Sequence, residues 1–569
     1  MLKSLAGAVM LIPTLAFAQG TTILSYQDIH HPVYAPNGMV STQDTLASQV
    51  GLEILMSGGN AVDAAVAIGF TLAVTLPRAG NLGGGGFMLV HDATRKNTVA
   101  VDYREMAPRN AGRDMYLDES GEVDKNKARF SYRSVGVPGT VAGLVLALDE
   151  FGTLPLHAVL EPAIELAENG FRVRRDLAES LASYEERLKS WPESARVFFK
   201  ADGSAYETGD LFVQPELAWS LRQIAEHGPE AFYQGAIAER IAADMASNGG
   251  LITLEDLTGY EARLREPVSG SYRGHQVFSM PPPSSGGIHL VQLLNILEDY
   301  PIGFLGLNSA DSIHIMAEAM KRAYADRSTH LGDSDFWDVP ASWLTSKSYA
   351  DELRAGIDLN RSTPAVDIRP GTPPAPESNE TTHFSVIDRH GNMVSNTYTI
   401  NFGYGTGIVA AGTGILLNNE MDDFSAKSGV PNAYGLIGGE ANAIEPRKRP
   451  LSSMTPTLVL KEGEAFLATG SPGGSRIITT TLQIIMNVID HQMNIAAATA
   501  APRIHHQWSP DELRVERGIS ADTLDLLAGR GHTIVTKWAM GATQSIVRAE
   551  DGLYGASDPR RPGALTLGH

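Results

Sequence analysis

The sequence has no cysteine in 569 residues. That absence excludes thiol nucleophiles, thiolate metal centres and disulfide staples, so any covalent catalysis must use another nucleophile. Basic residues are outnumbered: 45 Lys and Arg against 65 Asp and Glu leave a formal charge of -20. Such a surface repels phosphate backbones and anionic membranes, which argues against nucleic acid as a partner. The one dense basic run, RKRP at 447–450, is too short to reverse this. Beyond the first residues no apolar run reaches the roughly 18 residues a membrane-spanning helix needs, and there is no internal repeat.

What is present reads as a large globular protein. The length suits roughly two to four domains' worth of structure or one large α/β body; 43% hydrophobic and 19% charged residues are ordinary for that class. The N-terminus, MLKSLAGAVMLIPTLAFAQG, has an early lysine, an apolar stretch and the ending Ala16-Phe17-Ala18. It reads as a signal peptide over 1–18, cut before Gln19, and predicts export, with a periplasm as the expected compartment and secretion as the alternative.

Hydrophobic periodicity predicts helices in the first third. Leu46, Val50 and Ile54 recur every four residues, Gly58-Gly59 interrupts, and Asn60 with Asp63 resembles an N-terminal cap for a second helix. Further helices are predicted in AFYQGAIAERIAADMASNGG, after the proline turn of SMPPPSSGGIHLVQLLNILEDY, and as an amphipathic helix in DSIHIMAEAMKRAYADR. Residues 362–380 are rich in proline and polar residues, a composition that favours extended chain. Past them the texture turns to strands: THFSVID, a turn at RHGN, MVSNTYTINF, and the alternation of MTPTLVLKEGEAFLATG. Helical runs flanking antiparallel hairpins predict a layered α+β architecture.

Candidate motifs divide by their context. GNLGGGGFMLV at 80–90 leads into a strand rather than a helix, so it fits a tight turn or close backbone approach better than a nucleotide loop. In ATGSPGGSRIITT, Gly473 and Gly474 precede an apolar helix; their amides could stabilise an oxyanion or simply form a turn, and the motif lacks a P-loop lysine. The pairs His30-His31 and His505-His506 are adjacent and point apart, unlike helical zinc ligands, and GDSDF at 332–336 is shorter and poorer in glycine than a calcium loop. No metal and no cofactor is expected.

The segment ESNETTHFSVIDRHGN joins the proline-rich stretch to a strand beginning at Thr381 and Thr382. A threonine there is ordinarily a β-former, and its hydroxyl is a poor nucleophile without a base. A cut before Thr381 changes this: the new α-amine, with a pKa of about 7.7 to 8.0, sits beside its own hydroxyl and can serve as its base.

TTHFSVID, NTYTINFGYGTGIV, GILLNNEMDDFS, RPLSSMTPTLV and TGSPGGSRIITT, with DYREMAP early and IHHQWSPDELRVE late, occur in an order that resembles the gamma-glutamyltranspeptidase (gamma-glutamyltransferase) family of N-terminal nucleophile hydrolases. The resemblance covers nearly the whole chain after the signal. It implies a four-layer αββα sandwich, made by a large subunit, 19–380, and a small catalytic subunit, 381–569, after self-cleavage between Glu380 and Thr381. The implied substrates are glutathione and other γ-glutamyl compounds, with water or an amino acid or peptide amine as acceptor.

By the same resemblance Thr381 is the nucleophile, Thr399 orients it, and Gly473 and Gly474 form the oxyanion hole. Asn401, Glu420 and Asp423 match ligands of the substrate α-amine. Arg104, Ser452 and Ser453 match ligands of its α-carboxylate, for which an arginine fork is suited. Tyr434 matches a lid residue found in some members, and Glu420 stands where some bacterial relatives have Gln; both can accept from an ammonium. One rival is a cephalosporin acylase of the same fold, which cleaves a glutaryl group lacking the α-amine; the other is an exported solute-binding protein, which has no reason to cut itself. The amine ligands favour the γ-glutamyl substrate.

Overall fold

The computed structural model describes residues 28–369, 381–427 and 439–569. The signal peptide, Glu380 with the stretch before it, and Tyr434 lie outside the described residues.

Two antiparallel seven-stranded sheets stack face to face. The first runs in the order Leu565–Gly568, Met39–Thr42, Thr382–Ile387, Met393–Thr399, Gly85–Asp92, Asn97–Tyr103, Arg263–Arg265. The second runs Val33–Ala35, Gly552–Ser557, Gln544–Ala549, Glu464–Thr469, Thr457–Lys461, His275–Ser279, Val268–Tyr272. Strand alternation explains the layering. In Thr382–Ile387, Phe384 and Val386 enter the core shared with the outer helices, while Ile387 enters the core between the sheets. On that inner side Ser385 Oγ donates to the Gln544 carbonyl at 2.9 Å and Ser395 Oγ to that of Thr469 at 2.9 Å. The sheets are therefore fastened by hydroxyls as well as by apolar contact.

Helices cover both outer faces, completing the αββα sandwich that the motifs imply. Thr45–Met56, Ala61–Thr75 and Thr140–Phe151 pack on the first sheet. Gly286–Leu297, Ala310–His330 and Arg476–Ile489 form the layer on the second. Asn60 is the N-cap of Ala61–Thr75 in a full capping box with Asp63, as its spacing predicts. The glycine pair at 58–59, the proline turn before Gly286 and the hairpin Thr457–Thr469 also fall where expected.

One helix departs from expectation. Ala310–His330, predicted to be amphipathic, is buried on nearly every side through Arg327. Glu318 at its centre faces charged groups rather than solvent, pairing with Lys321 at 2.9 Å and with Arg322 at 2.8 Å. Paired charge can be buried, and a polarity pattern alone does not distinguish it from a wet face.

Candidate active site

The two central strands of the first sheet bring the candidate threonines together. Their register pairs Thr382 with Tyr398, and continuing it by one residue sets Thr381 opposite Thr399. Both are buried and line one small cavity of about 40 Å³, with room for a few water molecules. Beyond Thr399 the chain turns through Asn401, whose φ of 72° is a conformation asparagine tolerates better than most residues. The Asn401 N–H donates to Thr399 Oγ1 at 2.8 Å, and its side-chain amide donates to the Asn419 carbonyl at 2.9 Å.

The glycine run at 83–86 holds the other side of this strand end. A Cβ on Gly84 would lie 2.1 Å from the Thr399 carbonyl oxygen, and one on Gly83 would lie 2.1 Å from that of Leu416. Only glycine permits so close an approach, which bears out the backbone-packing reading of GNLGGGGF. Asn81 completes the clasp: its amide donates to the Thr399 carbonyl at 3.0 Å while its Oδ1 accepts from the Gly84 N–H at 2.9 Å and from Thr140 Oγ1 at 2.7 Å.

Arg104 follows the strand Asn97–Tyr103, which lies between Gly85–Asp92 and the edge strand Arg263–Arg265, and enters the cavity from the side. Its guanidinium is fully buried, bonds to Glu420, lies 2.5 Å from Asp423 Oδ2 and 3.4 Å from Glu105 Oε2, and donates through Nε to the Pro450 carbonyl at 3.1 Å. Burial opposes its charge, but Glu420, Glu105 and Asp423 outweigh that and raise its pKa. The carboxyls respond in kind. Burial pushes Glu420 well above the usual carboxylate range, Asp423 upward, and Glu105 to about 7, with Arg104 pulling each back down.

Ser452 and Ser453 form a shelf across the cavity, and the Gly473-Gly474 turn lies beside it. Both glycines have positive φ, 132° and 59°. Neither N–H has a hydrogen-bond acceptor among the described residues, which is the condition an oxyanion site requires. Gly474 lines the cavity directly; Gly473 precedes it in the same turn. An oxyanion cradled there would be close to the helix N-terminus at Arg476.

The model of the gamma-glutamyltranspeptidase family matches residues 47–567. The chain belongs to that family. It is 57% identical to the glutathione hydrolase proenzyme of Escherichia coli strain K12 over 95% of this chain and 94% of that one. Among solved structures, the cephalosporin acylase of Bacillus halodurans superposes with a TM-score of 0.83 at 30% identity, covering 99% of each chain. The gamma-glutamyltranspeptidase of Helicobacter pylori matches with a TM-score of 0.57 at 48% identity, over 57% of this chain and 93% of that chain. Among the described residues no helix is long and apolar enough to cross a membrane.

For this gamma-glutamyltranspeptidase family member, the cavity gathers Thr381, Thr399, Arg104, Asn401, Glu420, Asp423, Ser452, Ser453 and Gly474 from distant parts of the chain. Sequence reasoning missed Arg327, which reaches the same cavity from the buried helix Ala310–His330. It also missed Asn81 and Glu105, whose only signal was their place within GNLGGGGFMLV and DYREMAP. A second buried cluster, His314, Glu318 and His532, has ligand atoms within 4.8 Å of one another. Lys321 and Arg322 already occupy both Glu318 oxygens, so the local charge disfavours a cation. The Thr363 N–H donates to Glu318 Oε1 at 3.1 Å and Lys321 Nζ to Ser362 Oγ at 2.6 Å, so this cluster anchors the root of the proline-rich stretch.

Proposed function

We propose that the chain is an autoprocessed glutathione hydrolase and gamma-glutamyltransferase in which Thr381 acts first on its own backbone and then on substrate. In the uncut chain, Thr381 Oγ attacks the Glu380 carbonyl carbon, the peptide C–N bond breaks as the ester forms, and the hydroxyl proton passes to the departing nitrogen. Water hydrolyses the ester and restores the hydroxyl beside a free α-amine, its base for the next reaction. The subunits 19–380 and 381–569 then stay together, because both contribute strands to each sheet and separation would expose each to water.

In turnover the same hydroxyl attacks the γ-amide carbonyl of the donor. The Thr381 amine takes its proton and returns it to the leaving amine, while the Gly473 and Gly474 N–H groups stabilise the oxyanion. The γ-glutamyl ester then passes to water or to an acceptor amine. Thr399 orients the nucleophile; Asn401, Glu420 and Asp423 hold the α-amine, and Arg104, Ser452 and Ser453 the α-carboxylate. Tyr434 serves as a lid. The signal peptide directs the enzyme to the periplasm.

The observation that carries this reading is the presence of Glu420 and Asp423 in the same cavity as Thr381. Buried carboxylates need a cationic partner, and a donor with a free α-amine supplies one. The likeness to the Bacillus halodurans acylase favours a second reading, a glutaryl acylase, but a glutaryl group brings only negative charge to these carboxylates. Intact mass under denaturing conditions, for the wild type beside Thr381→Ala, tests the first step. Two fragments, the smaller beginning at Thr381, with an uncut and inactive variant are the expected result; a processed, active variant sinks the nucleophile assignment. Turnover of γ-glutamyl against glutaryl para-nitroanilide separates the two readings.

A further inference from the structure

Arg104 alone is a poor receptor for a carboxylate. Its guanidinium already faces three carboxyl groups, Glu105, Glu420 and Asp423, and another anion placed there meets a surplus of negative charge. The cavity has a second guanidinium, Arg327, 4% exposed, on the side of the serine shelf. Its Nη2 donates to Ser453 Oγ at 3.0 Å and its Nε to Ser285 Oγ at 2.9 Å. Ser285 in turn donates through both its N–H and its hydroxyl to the Ser452 carbonyl, each at 2.8 Å.

This chain of bonds orients the Ser453 hydroxyl and holds the Ser452 backbone, while the Met454 N–H orients the Ser452 hydroxyl. A serine hydroxyl has one proton to give. Ser453 Oγ accepts from Arg327, and Ser452 Oγ accepts from the Met454 N–H at 3.1 Å. Neither hydroxyl has an acceptor for its own proton among the described residues, so both protons remain available to an anion in the cavity.

We infer that Arg327 is a positioning residue for recognition of the donor's α-carboxylate: it fixes the Ser453 hydroxyl as a hydrogen-bond donor, holds the Ser452 backbone through Ser285, and supplies positive charge beside Arg104, which is shared among three carboxyls. This rests on the reading of the cavity as a γ-glutamyl site. Arginine's planar fork spans Ser285 and Ser453 together, a task lysine performs only in part.

The test uses the processed wild type, Arg327→Gln and Arg327→Lys, with processing confirmed by intact mass. Calorimetry gives Kd for L-glutamate and for γ-aminobutyrate, which keeps the amine and lacks the α-carboxylate; kinetics give KM and kcat for L-γ-glutamyl para-nitroanilide. In Arg327→Gln, Kd for L-glutamate and KM rise together by roughly tenfold to a hundredfold, the scale of a hydrogen bond to a charged group. Kd for γ-aminobutyrate moves less than about threefold on the same scale, and Arg327→Lys falls between. Equal weakening of both ligands, or a loss confined to kcat, overturns the inference. If instead the wild type binds L-glutamate through Arg327 but turns over no γ-glutamyl donor, the carboxylate role stands and the proposed reaction fails.

Discussion

Arg104 and Asp423 are separated by 319 residues in sequence and by 2.5 Å between Nη2 and Oδ2. Under the proposed function the pair sets the carboxylate assigned to the substrate amine against the cation assigned to the substrate carboxylate, so each serves as the other's partner. A zwitterionic α-amino acid can replace this internal pairing with two matched contacts at once. A ligand carrying only one charge leaves the other protein group with its internal partner disturbed and nothing gained.

Asp423→Ala therefore has a substrate-dependent outcome. The loss in kcat/KM should be roughly tenfold to a hundredfold for γ-glutamyl para-nitroanilide, on the scale of a charged hydrogen bond, and much smaller for the glutaryl analogue. Paired assays of the two anilides check this. An equal loss on both contradicts the amine-binding role.

The same carboxyls predict a pH dependence. Burial raises the pKa values of Glu420 and Asp423, so acid neutralises them before it neutralises ordinary carboxylates, and amine recognition requires the charged form. KM for a γ-glutamyl donor should fall as pH rises through these elevated values. For a glutaryl donor the trend should vanish or reverse, because the newly formed charges repel it. KM profiles of the two donors that run parallel through the acid range would remove Glu420 and Asp423 from the amine site.

Gly84→Ala tests the clasp behind Thr399. The added methyl would fall 2.1 Å from the Thr399 carbonyl and 2.7 Å from Asn81 Oδ1, so the strand end must move. Overpacking of this kind costs about 1–3 kcal/mol, and here the displaced atoms belong to the hairpin that carries both threonines. Lowered Tm together with reduced kcat and incomplete self-cleavage is the expected result. Unchanged processing and activity would mean the clasp does not position Thr399.

Local signals in the sequence were legible where one short segment contained the whole device. The Asn60 and Asp63 cap, the proline turn before Gly286 and the strand after Gly83-Gly84 each depend on neighbours a few residues away. The site residues on recognisable motifs were legible through resemblance, and the structure brings those it describes into one cavity, with Gly473 in the turn beside it. Arg327 was not, because nothing in KRAYADR distinguishes an arginine that faces solvent from one that crosses the core to Ser285 and Ser453. The burial of Ala310–His330 depends on partners such as Ser362 and Thr363, and on His532, more than 200 residues from His314. A pattern of polarity along one helix does not contain that information.

That helix also yields a stability prediction. Burial alone would raise the Glu318 pKa, but Lys321, Arg322 and the Thr363 N–H bring it from 4.5 down to about 2. A carboxylate whose pKa is depressed in the folded state stabilises the fold above its unfolded pKa, and that contribution is lost as pH falls through the folded value. Each unit between the two values corresponds to about 1.4 kcal/mol. The window for Glu318 accordingly runs downward from about 4.5 to about 2. Glu318→Gln should lower the wild-type Tm at neutral pH, since Lys321 and Arg322 lose their buried counter-charge. The gap between the two proteins should close as pH drops through that window. Because Ser362 and Thr363 lean on the same carboxylate, the variant should also cut itself more slowly before Thr381, read as the fraction of uncut chain by intact mass. A gap in Tm that stays constant with pH would show that the carboxylate's charge contributes nothing and that only its shape is needed.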